Sequence, residues 1–523
     1  MKSTPEHISP EPQVNIEKAF PSPFVNVIAT ARTCYSSKGI IKDEDIKPLE
    51  RWQPLARSIY EAGHHTTYQH AYLQFTLSNV SRQFIWSFLH SHPFYNSEQV
   101  SQRYVKIKKD GYYIPPISGE ALSLYKQTID MQTDAYFNLI ELLHDVTAKH
   151  YFNRFPARRN YPDKYGKDIT KKCQEVARYV MPVATFAYLY HTISAVTLLR
   201  YYRLVEQYDV PLEQRVIIQK MVDALLRHDP NYKSILEEPI PIEETPEGRF
   251  FLEFSHNRQN GSDYRKQFIR EFDESLDGRV SKLIDYKMNG ENVLASAVRE
   301  VYGLPRSMLS DTEAIDMVLH PGKNTLLGES LVLTTHSKLS RAMYHVHYTF
   351  RKKLSHTADS QDQRHRMTPG SRPILSKQLT DEPDYITPAI VTEDEKALAL
   401  YRETMNRTWE NINKLIQLGL TEDEASYVLP NAVNIRFTES ADLLNLHHKH
   451  AMRLCYNAQE EIWRASLDEA QQIREVNPQI GKYLLPPCTI RDLGSQRPIC
   501  PEGTRFCGEK VWRYDISEYE RVI

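Results

Sequence analysis

The sequence predicts an α+β protein built from two tandem copies of one unit. Three observations carry that prediction. Landmarks recur in the same order in the two halves; one stretch alternates large and polar residues as a half-buried strand does; and others repeat apolar residues at helical spacing. The first copy runs Ala31-Arg32-Thr33-Cys34-Tyr35-Ser36, Ser81-Arg82, Ser101-Gln102-Arg103-Tyr104, then Ala177-Arg178-Tyr179-Val180-Met181-Pro182. The second runs Val298-Arg299-Glu300-Val301-Tyr302-Gly303, Ser340-Arg341, Asp362-Gln363-Arg364-His365, then Ala425-Ser426-Tyr427-Val428-Leu429-Pro430. A duplicated unit supplies its own partner, so a site normally shared between subunits can form within one chain.

A chain of 523 residues exceeds one ordinary core. The expected division is 1–240, a linker region 241–290, and 291–523 with a cysteine-containing tail. The formal net charge of −2 disfavours nucleic acid as main partner. No apolar leader or membrane-length run is present, so a cytoplasmic location is expected. Six cysteines are too sparse for a disulfide framework.

In chain order, Cys34 follows small apolar residues and is expected to be a buried structural thiol. Tyr72 to Val80 alternates as a strand, and Leu331-Val332-Leu333-Thr334-Thr335 is its expected counterpart. Ser97-Glu98-Gln99-Val100-Ser101-Gln102-Arg103-Tyr104 gathers a carboxylate, amides, hydroxyls and a guanidinium able to grip a phosphate and a polar ring. Leu122 to His150 and Lys172 to Arg227 read as amphipathic helices, with Pro182 ending one helix near Val180 before another resumes. Arg178 stands beside an apolar turn, where a guanidinium must snorkel or meet an anion; a salt bridge to Glu175 is the structural alternative. The charged, proline-rich run Glu237 to Gly248 reads as a linker, and Ser355 to Asp384 as a long, polar binding loop.

Near the end, Asp442 to Arg453 carries His447, His448 and His450, of which only His447 and His450 have helical ligand spacing. A polar face presenting His448 and Arg453 to a cleft is therefore expected. Cys488, Cys500 and Cys507 could supply thiolates to a zinc ion, with Cys455 or a histidine as fourth ligand.

These motifs together resemble the flavin-dependent thymidylate synthases. The similarity rests on Ala31 to Tyr35, Ser81-Arg82, Ser101-Gln102-Arg103-Tyr104, Ala177-Arg178 to Pro182, and Arg453 with Ala458-Gln459-Glu460-Glu461-Ile462. It implies two tandem domains of that type, each a small, mostly antiparallel sheet packed with long helices. It also implies reductive methylation of the uracil C5 of dUMP or a related pyrimidine nucleotide, with methylenetetrahydrofolate and NADPH as co-substrates and FAD as hydride carrier. By position, Ser101, Arg103 and Arg178, with Gln99 and Glu98, would bind the nucleotide, and Arg453 would be catalytic.

The second half has Asp362 and Ser426, and the first half Val205, where the remaining family residues are expected. Each half thus keeps one side of a composite site. The flavin signature, Arg-His-Arg followed by a serine, would be replaced by His90-Ser91-His92-Pro93, or Ser91-His92-Pro93, in the first half and by Arg351-Lys352-Lys353-Leu354 in the second. His90, His92, Arg351, Lys352, Lys353 and His448 are the candidate cofactor-binding residues. Arg364-His365-Arg366 spells the signature but is set aside as falling at the wrong end of its element. The chain is expected to pair into a homodimer that mimics a tetramer. The alternatives are a catalytically silent nucleotide-binding homologue and an enzyme modifying uridine elsewhere.

Overall fold

The computed structural model describes residues 9–90, 92–103, 105, 110–207, 212–257 and 261–521, so Ser91 and Tyr104 lie outside the described residues. The first half contains β1 (Gln13–Ala19), α1 (Pro23–Thr33), β2 (Tyr72–Ser81), α2 (Arg82–Leu89), β3 (Asn96–Gln99), α3 (Gly119–Arg154), α4 (Pro162–Ala177), β4 (Phe186–Ser194), α5 (Ala195–Arg203) and α6 (Leu212–His228). Then come α7 (Pro246–Asn257) and α8 (Gly261–Ser275). The second half contains β5 (Ser281–Tyr286), α9 (Gly290–Tyr302), β6 (His347–Ser355), α10 (His356–Asp362), β7 (Gly370–Ser371), α11 (Glu395–Gln417), β8 (Asn434–Asp442), α12 (Leu443–Arg453), α13 (Glu460–Val476) and α14 (Pro487–Leu493). The fold is α+β, with two antiparallel four-stranded sheets ordered β1-β2-β4-β3 and β5-β6-β8-β7. The repeat in the letters is therefore a repeat in space.

Alternation explains β2, whose Leu73, Phe75 and Leu77 are buried on one face. Asn79, at φ 55°, takes up a register shift between Ser78 and Val80 that lets Val80 and Ser81 turn inward. Ser81 then caps α2, its Oγ accepting from Phe84 N at 2.9 Å, and Ser355 caps α10 by accepting from Ala358 N at 3.1 Å.

Five expectations are corrected here. Leu331 to Thr335 is not a strand: Leu331 is exposed and Val332 sits at φ 53°, while the true counterpart of β2 is β6. The counterpart of Ser81-Arg82 is accordingly Ser355-His356 rather than Ser340-Arg341. The run Lys172 to Arg227 is interrupted by β4, so the helix after Pro182 resumes only at Ala195. Ser355 to Asp384 is no open loop, because His356, Thr357, Asp359 and Asp362 of α10 are buried although polar. Cys34, finally, is exposed.

The segment 241–290 holds α7, α8 and β5, and β5 pairs with β6.

The halves meet across a local two-fold pattern. Val183 N donates to Leu429 O and Asn431 N to Met181 O, at 2.9 and 2.8 Å, around a bridge between Pro182 and Pro430. Glu213 accepts from Ser81 N and Oγ, and Tyr427 of the other half donates to it at 3.1 Å. Glu461 accepts from Ser355 in the same way, and Tyr179 of the first half donates to it at 2.5 Å. One continuous apolar cluster, including Tyr136 and Leu139 of α3 and Tyr401 and Trp409 of α11, spans the boundary.

Candidate functional site

Two adjoining regions hold the candidate residues: a cationic pocket between the halves and an open cleft beside it. The pocket is centred on Glu175, near the end of α4, where it is buried. Burial alone would raise its carboxyl, but Arg103, Lys172, Arg178 and Arg521 outweigh that cost and hold it at about 2. Arg103 Nε donates to Glu175 Oε2, and its Nη2 donates 2.8 Å to the carbonyl of Asn457, from the second half. Ser101 Oγ accepts from Arg103 N at 3.2 Å, turning the loop that carries both.

Arg178 donates to the carbonyl of Glu175 at 3.2 Å, is 3% exposed, and leaves Nη2 without a partner. Gln102 Nε2 is likewise buried and unpaired, while the Gln102 carbonyl oxygen accepts from Asn431 of the second half at 3.3 Å. An excess of cations around one carboxylate, with buried donors unpaired, is chemistry suited to an oxyanion.

Arg453, the last residue of α12, donates through Nε to His365 Nε2 at 2.8 Å and through Nη2 to the carbonyl of Gln361 at 2.7 Å. Burial lowers it to about 10, with Asp362 opposing the shift and the Arg364 and Arg103 charges adding to it. Arg103 of one half and Arg453 of the other therefore lie within each other's field. The guanidinium keeps its charge, and its bonds fix where that charge points. His448 lies on the same helix with its ring 6.1 Å from that of His365.

The cleft, about 290 Å³, is lined by Gln74, Glu98, Gln99, Tyr190 and Thr192 of the first half and by Gln363, Arg364 and Arg366 of the second. Gln99 accepts from buried Arg82 at 2.6 Å. Exposed Glu98 pairs with Arg364 at 2.9 Å, and Arg366 donates to Asn96 at 3.2 Å.

Strand register revises the motif alignment here. Ser97 pairs with His191 and Gly370 with Glu439, and each of those partners stands three residues before the residue capping the next helix, Ser194 or Asp442. Counting back from Ser97 and Gly370, Ser91-His92-Pro93 coincides with Arg364-His365-Arg366; counting on, Ser101 and Arg103 coincide with Ile374 and Ser376. Arg364-His365-Arg366 is thus in register, not accidental, and Asp362 is not the counterpart of Ser101. The letters alone could not give this, because the alignment passes through β7, only two residues long.

The other cofactor candidates are dispersed. His90 Nδ1 meets Trp86 O at 2.7 Å with its Nε2 3.3 Å from Asp359, and His92 meets Tyr201 at 2.5 Å. Burial lowers both to about 4. Arg351, Lys352 and Lys353 do not form one basic cluster, since strand alternation sends Lys352 into the core, where Asp362 and Glu469 hold it at 3.0 and 2.8 Å. Arg351 instead donates to Ser275, and Lys353 to Asp273.

Among the described residues no group of three or more His, Cys, Asp or Glu side chains is arranged to hold a metal ion. The zinc expectation at Cys488, Cys500 and Cys507 is thus not shown: Cys488 and Cys507 pack against the apolar core, and burial, together with neighbouring thiols, raises both. No described helix is long and apolar enough to cross a membrane.

Comparison with known proteins places this geometry. The chain is 27% identical over 223 residues to the flavin-dependent thymidylate synthase of Sulfurisphaera tokodaii, covering 40% of this chain and 79% of that protein. The enzyme of the same name from Saccharolobus solfataricus is 26% identical, over 40% of this chain and 78% of its own length. That of Clostridium tetani is 27% identical, over 44% of this chain and 92% of its own. The family model described as thymidylate synthase complementing protein matches residues 16–231 and again 282–479, the two structural repeats. With both halves matched and the repeat visible in each sheet, the chain belongs to the thymidylate synthase complementing protein family.

Proposed function

We propose that the chain methylates the uracil C5 of dUMP reductively. The observation that carries this reading is the shared cationic pocket, to which one half brings Arg103 and Arg178 and the other Arg453. In this reading Arg103, Arg178 and Ser101 hold the phosphate, with the unpaired Nη2 of Arg178 taking one of its oxygens. Arg453, fixed by His365 and Gln361, faces the ring and stabilises negative charge as C5 becomes nucleophilic. Gln99 and Glu98 edge the ring from the cleft side.

A flavin suits the cleft chemically. Arg364 and Arg366 offer guanidiniums for a pyrophosphate, and the buried Gln363 amide has neither of its polar atoms paired. When bound, FAD supplies the hydride, methylenetetrahydrofolate the one-carbon unit, and NADPH the reducing electrons. The chain's own residues bind and orient: His365 keeps Arg453 aimed, and burial keeps that imidazole neutral, able to accept from the guanidinium. Against the silent alternative, which rested on loss of the flavin signature from both halves, the strand register supports Arg364-His365-Arg366 as a retained Arg-His-Arg. The test is incubation with dUMP, methylenetetrahydrofolate, FAD and NADPH followed by mass analysis of the nucleotide. Product heavier by one methyl group is expected, and nucleotide of unchanged mass overturns the proposal.

A further inference from the structure

Residues 480–521 lie beyond both family-matched segments, yet they pack against the cationic pocket. From α14 the chain crosses to the first half, where Glu509 accepts from Arg154 and Cys507 lies within the field of the pocket residue Lys172. Asn457, whose carbonyl holds Arg103, donates its side-chain amide 2.7 Å to the carbonyl of Arg505. The segment then returns to α13, where the Arg521 carbonyl accepts from Arg464 at 3.3 Å and the Arg521 guanidinium lies 6.0 Å from the Trp463 ring. Arg521 is 7% exposed, and the nearby charges that act on it include Glu175 and Arg103.

The pocket therefore gathers Lys172, Arg103, Arg178 and Arg521 about one carboxylate, Glu175. Burial and crowding push Arg521 down to about 10 and Lys172 to about 8, a cost that an anion among these cations would relieve. The unpaired Nη2 of deeply buried Arg178 is an independent sign that a ligand belongs there.

We propose that the segment 480–521 completes the anion site and that Arg521 contacts the phosphate of the bound nucleotide together with Arg103 and Arg178. This deepens the dUMP reading and rests on it for the identity of the nucleotide, though not for the anion. Calorimetric titration of the full chain with dUMP, inorganic phosphate and deoxyuridine tests it, comparing the unaltered protein, Arg521→Gln and Arg521→Lys. Arg521→Gln should weaken dUMP and phosphate about tenfold or more, leave deoxyuridine unchanged, and be partly rescued by lysine. Equal weakening of dUMP and deoxyuridine, or none at all, overturns the role of Arg521 and leaves the proposed reaction standing. Phosphate binding that depends on Arg521 in a protein indifferent to dUMP overturns the substrate and leaves the anion site standing. Should Arg521→Gln fail to fold, Arg521→Lys decides: it should bind dUMP more weakly than the unaltered protein with deoxyuridine unaffected, and equal affinity for dUMP overturns the contact.

Discussion

Arg453 is anchored by one imidazole and one carbonyl, neither of which depends on its charge being neutralised. Arg453→Ala should therefore cost about 100-fold or more in turnover, with the melting temperature nearly unchanged; full activity would remove Arg453 from the mechanism. Lys172 gives a second expectation at this scale. Its amine, lowered to about 8 by burial and by Arg521 and Arg103 against the pull of Glu175, is charged below that pH and neutral above it. Affinity for dUMP should fall as pH rises through about 8, and Lys172→Gln should flatten that limb of the profile.

The meeting of Arg178 with a carboxylate was legible in the sequence, because a guanidinium beside an apolar turn must find an anion, and Glu175 acts on it. Arg364-His365-Arg366 and Lys352 were not, since the meaning of each depends on strand register and on which face of a strand a residue occupies.

Elements behave likewise. The alternation of β2 is plain because its core face is Leu73, Phe75 and Leu77. On β6 the matching face carries Tyr348, Phe350, Lys352 and Leu354, and the lysine hides the pattern. Lys352 and Lys449 share Asp362 and Glu439 in a wholly buried network that also reaches Glu469. Lys352→Ala leaves those carboxylates short of a cation, and urea unfolding should show a loss of roughly 3–5 kcal/mol. In a double-mutant cycle, a marked loss of that penalty alongside Asp362→Asn would tie it to charge rather than volume.

At the scale of the molecule, the proposed reading has the duplication leave one competent site. Its symmetry mate would need Ile374, Ser376, Ser426 and Val205 to act as Ser101, Arg103, Arg178 and Arg453 do. In addition α8 lays Arg265 across that side, bonded to Glu422 and to the carbonyl of Leu379. Titration should find one dUMP per chain, and two would refute the asymmetry. Stability should also depend on acid. His90 and His447 are held at about 4, and His191 and His356 at about 3, all first by burial. The unfolded chain takes up these protons below about 6.5 and the folded one does not. Stability is thus intact above that pH and falls between about 6.5 and 4, by up to about 5 kcal/mol per pH unit; denaturant melts at stepped pH measure it. Pairing into a homodimer is a separate expectation that sedimentation checks. The exchange of Tyr179 and Tyr427 across the internal two-fold has a kinetic corollary. A relative assembled from separate subunits can lose a shared pocket by dissociating, whereas here the two walls are tethered at a fixed local concentration, and catalysis per molecule should hold constant down to the most dilute assay.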